Sequence, residues 1–84
     1  MTPTLYLIIP CYNEEKVLPL TAPLFLQEIT LLTEKNLISE QSRIMFIDDG
    51  SRDKTWEIIT RLSKENESIV ASVRAATVGI RMRF

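Results

Sequence analysis

The feature that most constrains this chain is a short apolar segment ending in two carboxylates and a glycine. Residues 44–47, Ile-Met-Phe-Ile, are followed directly by Asp48, Asp49 and Gly50. A run this short, rich in β-branched and large side chains, predicts a strand covered on both faces. Gly50 allows a tight turn that a Cβ would hinder. The two acids are therefore predicted at the carboxyl end of a strand, where ligands of open α/β sheets bind.

Composition limits the classes of protein to consider. The 84 residues are 45% hydrophobic and 25% charged, with a formal net charge of -1, which is typical of a globular domain and disfavours nucleic acid as a partner. A single cysteine, Cys11, excludes an internal disulfide and favours a reducing, cytoplasmic compartment. No signal peptide is evident at the amino end, and no apolar run approaches the ~20 residues that span a bilayer. We expect no membrane span in this chain.

The amino-terminal half predicts a strand and a helix. Residues 5–9 form a second apolar run and are expected to be the first strand, with Pro10 ending it because proline cannot donate to a sheet ladder. A short turn and then a helix over residues 21–36 are expected, with Pro23 in its first turn. Apolar side chains recur there at spacings of four and three, and predict one buried face. Its members are Leu18, Ala22, Phe25, Ile29 and Leu32.

The second half repeats this order. A second helix is expected over residues 53–66, with Ser51 or Asp53 accepting from its first backbone N–H groups. A third strand is expected over residues 69–73. The fold class is therefore α/β, with the order βαβα(β), parallel strands, right-handed crossovers and three layers. The buried face of the second helix is expected to contain Trp56, Ile59 and Leu62, helped by Ile58.

Two loops are then expected at the same edge of the sheet. The first, residues 10–14, carries Tyr12 and an acid, Glu14, and Asn13 is expected to cap a following helical turn. The second, residues 48–51, offers two acceptors and free backbone N–H groups. This suits a nucleobase with an imide N–H, such as uracil, stacked on Tyr12. The alternative for the two acids is ordinary turn chemistry. A dinucleotide or P-loop site is disfavoured because no glycine-rich motif is present.

Two motifs carry a family resemblance. Leu-Ile-Ile-Pro-Cys-Tyr-Asn-Glu-Glu followed by Phe-Ile-Asp-Asp-Gly-Ser-Arg-Asp-Lys-Thr resembles the start of a family 2 glycosyltransferase with the GT-A fold. The similar branch includes dolichyl-phosphate mannosyltransferase and bactoprenol glucosyltransferase. The resemblance covers about residues 5–66, and implies sugar transfer from a nucleotide-diphosphosugar, often to a polyprenyl phosphate at a membrane. It places Pro10, Tyr12, Glu14 and Asp49 at the nucleotide, with Asp48 beside them supporting the loop.

The sequence also departs from that family. Full-length members resemble Mg²⁺- or Mn²⁺-dependent enzymes. The resemblance implies that their metal-binding Asp-x-Asp and catalytic base lie further along the chain. In this sequence no acidic residue follows Glu67. We therefore expect residues 1–84 to be the N-terminal portion of one glycosyltransferase domain. No catalytic or metal-binding residue is assigned, and the chain is expected to be inactive alone. The alternative is a non-catalytic remnant or weak nucleotide-binding module. A phosphoacceptor signalling domain is disfavoured because its paired acids follow the first strand.

The last ten residues carry a separate hypothesis. Similar proteins continue with Ser-Arg-Asn-x-Gly-His-Gln-x-Ala, whereas residues 75–84 are Ala-Ala-Thr-Val-Gly-Ile-Arg-Met-Arg-Phe. Codons compatible with these residues, read one nucleotide out of register, spell Ser-Arg-Asn-Cys-Gly-His-Gln-Asn-Ala-Leu. An out-of-frame tail is therefore expected over residues 75–84, with a divergent tail as the alternative.

Self-association is also expected, because an open sheet edge invites strand pairing.

Overall fold

A computed structural model describes residues 2–73, which fold into a parallel sheet with two helices. The elements are β1 (Tyr6–Cys11), α1 (Leu18–Glu34), β2 (Arg43–Asp48), α2 (Thr55–Glu65) and β3 (Ile69–Val73). The strands lie in the order β1-β2-β3, and both neighbouring pairs are parallel. The predicted α/β class and element order are confirmed. Residues 75–84, for which an out-of-frame origin is expected, lie outside the described residues.

Proline 10 does not end the first strand, so that prediction is wrong. The backbone N–H of Arg43, the first residue of β2, donates to the carbonyl of Leu5. The N–H of Asp49, just after β2, donates to the carbonyl of Cys11. Because backbone direction alternates along a strand, odd-numbered residues of β1 direct their N–H and C=O groups towards β2. Pro10 is even-numbered, so the side on which it lacks an N–H is the open edge of β1. Proline costs no ladder bond there.

The first helix begins at Leu18, three residues before the predicted start. The carbonyl of Glu14 accepts from the N–H groups of both Val17 and Leu18, so the turn after β1 leads directly into the helix. Pro19 lies in the first turn, where a missing N–H costs nothing. Pro23 therefore lies inside the helix rather than in its first turn.

The end of this helix follows a familiar pattern. Asn36 has a φ of 60°, in the left-handed region that asparagine tolerates. The N–H of Leu37 donates to the carbonyl of Leu32 at 2.9 Å, which closes the last turn and stops the helix. α1 itself ends at Glu34, two residues before the predicted boundary.

The described residues form two layers, so the expectation of three layers is wrong. Strand order β1-β2-β3 steps twice in the same direction, and right-handed crossovers then place both helices on one face of the sheet. The two helices contact each other accordingly. In β2, Ile44 and Phe46 are fully buried, whereas Met45 and Ile47 are partly exposed. β2 is therefore completely covered on one face only.

The core lies between this face and the helices. The apolar stripe predicted on α1 is confirmed, because its members are buried or packed against the core, and the ring of Phe25 lies 6.4 Å from that of Phe46. On α2, the predicted burial is confirmed for Ile59 and for Ile58 and Leu62, which pack against the core. It is wrong for Trp56, which is 38% exposed. Thr55 is buried instead, since it lies one helical turn before Ile59 on the same face. Within residues 2–73, no helix is both long and apolar enough to cross a membrane.

Candidate functional site

Two loops leave the sheet side by side at its carboxyl edge. Cys11 at the end of β1 is in register with Asp48 at the end of β2. One residue further on, the N–H of Asp49 donates to the carbonyl of Cys11 at 2.8 Å. The first loop, residues 12–17, and the second loop, residues 49–54, therefore start from adjacent positions, as the sequence predicted.

The five predicted site residues fall at this edge with different exposures. Tyr12 is 52% exposed. Pro10 is also exposed, while Glu14 and Asp49 are half-buried. Asp48 is buried, and its Oδ1 accepts from the N–H of Ser51 at 3.1 Å. Asp48 thus contacts the second loop, while the other four residues are exposed or partly exposed at this edge.

A glycine makes the turn between β2 and the second loop. Gly50 has a φ of 83°, a conformation that L side chains rarely adopt. A Cβ at this position would meet no atom within 4 Å. Glycine is therefore required here by backbone conformation and not by lack of space.

Three consecutive backbone N–H groups of the first loop donate to side-chain oxygens beyond β2. The acceptors occupy alternate positions, and one of them opens α2. The bonds run from Asn13 to Ser51 Oγ at 2.8 Å, from Glu14 to Thr55 Oγ1 at 2.8 Å and from Glu15 to Asp53 Oδ2 at 3.1 Å. The backbone of the first loop is thus held by side chains of another segment.

The second loop is held in return by side chains of the first. The N–H of Arg52 donates to Asn13 Oδ1 at 2.8 Å, and the N–H of Lys54 donates to Glu15 Oε1 at 3.1 Å. Asn13 has a φ of 51°, in the left-handed region. The prediction that Asn13 caps a helical turn is wrong, because its side-chain oxygen accepts from the second loop. These two bonds and the preceding three are called the inter-loop network below.

Asp53 joins the inter-loop network to the start of α2. Its Oδ1 accepts from the N–H of Thr55 at 2.9 Å and also from the Thr55 hydroxyl. Asp53 thus supplies the acceptor predicted for the first turn, although α2 begins at Thr55 and not at residue 53. Desolvation, the largest single influence on the pKa of the Asp53 carboxyl, raises that pKa. Hydrogen bonds from Thr55 and from the Glu15 backbone outweigh it and hold that pKa below its ordinary value.

The second loop does not offer the row of free backbone N–H groups that the sequence predicted. The N–H groups at residues 49, 51, 52, 54 and 55 all donate within the protein, mostly to side-chain oxygens. A ligand at this edge would therefore meet mainly side chains. The sequence did contain a signal for this arrangement, since Ser51, Asp53 and Thr55 place short oxygen-bearing side chains at alternate positions after the glycine.

Cys11 lies beneath this site as a buried, neutral thiol. It is 1% exposed, and its Sγ donates to the carbonyl of Ile9 at 3.7 Å. Burial, followed by the negative charges of Glu14 and Asp48, raises the pKa of the thiol to about 11. Cys11 therefore behaves as a small apolar core residue and not as a nucleophile.

The site does not fit a divalent metal. Among residues 2–73, no group of three or more histidine, cysteine, aspartate or glutamate side chains could hold a metal ion. Asp53 directs both carboxylate oxygens to donors within the protein. The Mg²⁺ or Mn²⁺ that the family resemblance implies for full-length enzymes has no ligand set in this part of the chain.

Comparison with known proteins gives consistent matches. The family model described as Glycosyl transferase family 2 matches residues 6–79. The uncharacterized glycosyltransferase YkoT of Bacillus subtilis (strain 168) is 39% identical over 77 residues, or 92% of this chain and 23% of that protein. The undecaprenyl-phosphate 4-deoxy-4-formamido-L-arabinose transferase of Photorhabdus laumondii is 39% identical over 66 residues, which is 79% of this chain and 18% of that protein.

A eukaryotic protein shows the same degree of similarity. The dolichyl-phosphate beta-glucosyltransferase ALG5A of Trichomonas vaginalis is 38% identical over 65 residues, which is 77% of this chain and 20% of that protein. The chain thus spans about a fifth of the length of these curated relatives. No solved structure gives a significant match.

Proposed function

Because the chain belongs to glycosyl transferase family 2, we propose that its sheet edge binds the nucleotide of a nucleotide-diphosphosugar. The observation that carries this proposal is the bond between the Asp49 N–H and the Cys11 carbonyl, 2.8 Å long. Tyr12 follows Cys11 directly, so this bond places an exposed aromatic ring and a carboxylate on neighbouring chain segments. These two groups are what a flat base with an imide N–H requires.

The two side chains would recognise different parts of the base. The Tyr12 ring is half-exposed and can stack on a base face, a contact worth about 1–3 kcal/mol. An ionised Asp49 is an acceptor only, so it suits the imide N–H of uracil or the N–H groups of guanine. We place Pro10 and Glu14 at the border of the same site.

The reaction of the whole enzyme is proposed to be hexosyl transfer to a polyprenyl phosphate. Undecaprenyl phosphate and dolichyl phosphate appear in the names of two relatives, which supports a lipid phosphate as the acceptor. The bond between the sugar and the diphosphate would break, a bond to the acceptor phosphate oxygen would form, and the nucleoside diphosphate would leave. We propose a cytoplasmic site of action, because the lone cysteine favours a reducing compartment.

We expect these 84 residues to bind the nucleotide without turning over the sugar. Negative charge develops on the diphosphate as the sugar departs and must be stabilised, commonly by a metal ion. The described residues lack a ligand set for such an ion. The competing proposal is an inert remnant that neither binds nor transfers.

Titration of the purified chain with uridine diphosphate and guanosine diphosphate tests the proposal. Saturable binding of one of them is expected, and substitution Tyr12→Ala should weaken it about fivefold or more, the lower end of the stacking range. Tyr6→Ala is the matched control. Tyr6 is the same residue type, is 62% exposed and lies at the opposite end of β1, roughly 20 Å from Tyr12 along the chain direction.

The outcomes separate the alternatives. Absence of binding to either nucleotide by the folded wild-type chain would support the inert remnant. Equal losses in Tyr12→Ala and Tyr6→Ala would place the nucleotide elsewhere. A transfer assay with a radiolabelled nucleotide sugar and a polyprenyl phosphate completes the test, since turnover by the chain alone would contradict binding without transfer.

A further inference from the structure

We infer that Asp53 and Thr55 are positioning residues that lock the first loop in the conformation presenting Tyr12 and Glu14 to the nucleotide. This inference rests on the proposed function. Neither residue has an expected nucleotide contact, and both take part in the inter-loop network.

The Thr55 hydroxyl makes one hydrogen bond as a donor and one as an acceptor. Thr55 is 0% exposed, and its hydroxyl hydrogen goes to Asp53 Oδ1. Its oxygen accepts from the N–H of Glu14 at 2.8 Å. A hydroxyl has one hydrogen to donate and two lone pairs, so Thr55 relays the hold of Asp53 onto the backbone of the first loop. Valine has a similar shape but can make neither bond.

The Asp53 carboxylate is committed in the same way. Oδ1 accepts from the N–H and hydroxyl of Thr55, and Oδ2 accepts from the N–H of Glu15 at 3.1 Å. Every partner is a donor, an arrangement that favours the ionised carboxylate because it has acceptor sites only. Asparagine would place an NH₂ group against one of these donors, because an amide has only one acceptor oxygen.

The result is a backbone held on both sides of the proposed nucleotide residues. The N–H of Glu14 donates to Thr55, while its carbonyl accepts from Val17 and Leu18 at 3.0 and 2.9 Å. Tyr12 lies between Cys11, which belongs to β1, and Asn13, whose N–H donates to Ser51. The ring of Tyr12 is thus carried on backbone already ordered by folding. Binding would then cost less entropy than if the loop had to be ordered by the ligand.

A helix cap alone would have a different signature. If Asp53 and Thr55 merely stabilised the start of α2, their loss would lower the free energy of unfolding. Affinity for nucleotide, measured where the protein remains folded, would not change. The positioning role predicts lower affinity in the folded variant, together with faster hydrogen exchange at the Glu14 amide.

The test compares Thr55→Val with its conservative partner Thr55→Ser and with Thr60→Val. Thr60 lies on the same helix, and its hydroxyl donates to the Trp56 carbonyl at 2.8 Å, outside the inter-loop network. Hydrogen exchange at the Glu14 and Glu15 amides and the affinity for uridine and guanosine diphosphate are measured under conditions where each variant is folded. Asp53→Asn, at a partly exposed position, serves as the second variant if Thr55→Val does not fold.

In Thr55→Val or Asp53→Asn, we expect exchange at these amides to rise at least tenfold and affinity to fall about tenfold, which corresponds to 1.4 kcal/mol. Thr55→Ser should restore both properties, and Thr60→Val should alter neither. Wild-type affinity and unchanged exchange in a folded Asp53→Asn or Thr55→Val chain would overturn the inference. If the wild type binds neither nucleotide, the proposed function fails, while faster exchange in the variants would still support the lock and unchanged exchange would refute it.

Discussion

The backbone N–H of Asp49 donates to the carbonyl of Cys11 at 2.8 Å, one residue beyond the last paired position of β2. This bond extends the sheet ladder into the two loops, so that their first residues are ordered as strand residues are. The side chains of Tyr12 and Asp49 consequently project from supported backbone.

The buried face of α1 should dominate the stability of the described fold. Leu18→Ala removes a side chain that is 1% exposed and should lower the free energy of unfolding by about 2–5 kcal/mol. Leu20→Ala, on the same helix but 72% exposed, should change it by less than about 0.5 kcal/mol. Urea denaturation followed by circular dichroism measures both, and equal effects would contradict the packing described.

The turn at Gly50 should resist alanine for conformational reasons alone. With a φ of 83° and no atom within 4 Å of a Cβ, Gly50→Ala should cost about 1–2 kcal/mol from backbone strain without a steric clash. Gly50→Asn should cost less, because asparagine tolerates the left-handed region better. Denaturant unfolding of the two variants checks this order, and a reversed order would show that the turn differs.

The thiol of Cys11 should react slowly in the folded protein. Its pKa is raised from 9.0 to about 11, so the thiolate fraction at pH 8 is about 100-fold lower than in the unfolded chain. Burial of the sulfur should slow alkylation further. Iodoacetamide labelling at pH 8, followed by mass spectrometry with and without urea, measures the ratio, and it reports on this residue alone because the chain has one cysteine. Equal rates would mean that β1 opens readily.

Acid should weaken the fold through Asp53. The folded pKa of this carboxyl is lowered below 3.8, so its contribution is fully present above pH 3.8, where the group is ionised in both states. The contribution declines as pH falls below that value and is lost through the lower folded pKa. The difference in unfolding free energy between wild type and Asp53→Asn should therefore be constant near neutrality and shrink in acid. A difference independent of pH would show that the Asp53 carboxylate is not the source of the acid sensitivity.

The described sheet should also promote self-association. β1 and β3 are its outer strands, and Ile8 on β1 is 49% exposed on the face away from the helices. Ile8→Lys should reduce the apparent mass at high protein concentration, because a charge opposes strand pairing and face contacts. Leu24→Lys on α1, at a position 61% exposed, is the control for a general gain in solubility. A wild-type mass independent of concentration in analytical ultracentrifugation would contradict the prediction.

Local sequence patterns were sufficient for the elements and for the placement of the proposed site. Apolar runs identified three strands, and the recurrence of Leu18, Ala22 and Ile29 identified the buried stripe of α1. The acids and Gly50 identified the turn at the carboxyl edge. These features depend on residues close in sequence, so their physical causes are visible in the order of residues alone.

Only the tertiary structure decided which groups those elements bring together. Pro10 remains within β1 because its missing N–H faces an open edge, and Trp56 is exposed because α2 turns Thr55 towards the core instead. Asn13 and Asp53 bond to segments about forty residues away in sequence, and no local pattern specifies such partners. The strands and turns follow from local preferences, whereas edge position, helix rotation and the inter-loop network depend on the sheet order that sets the loops side by side.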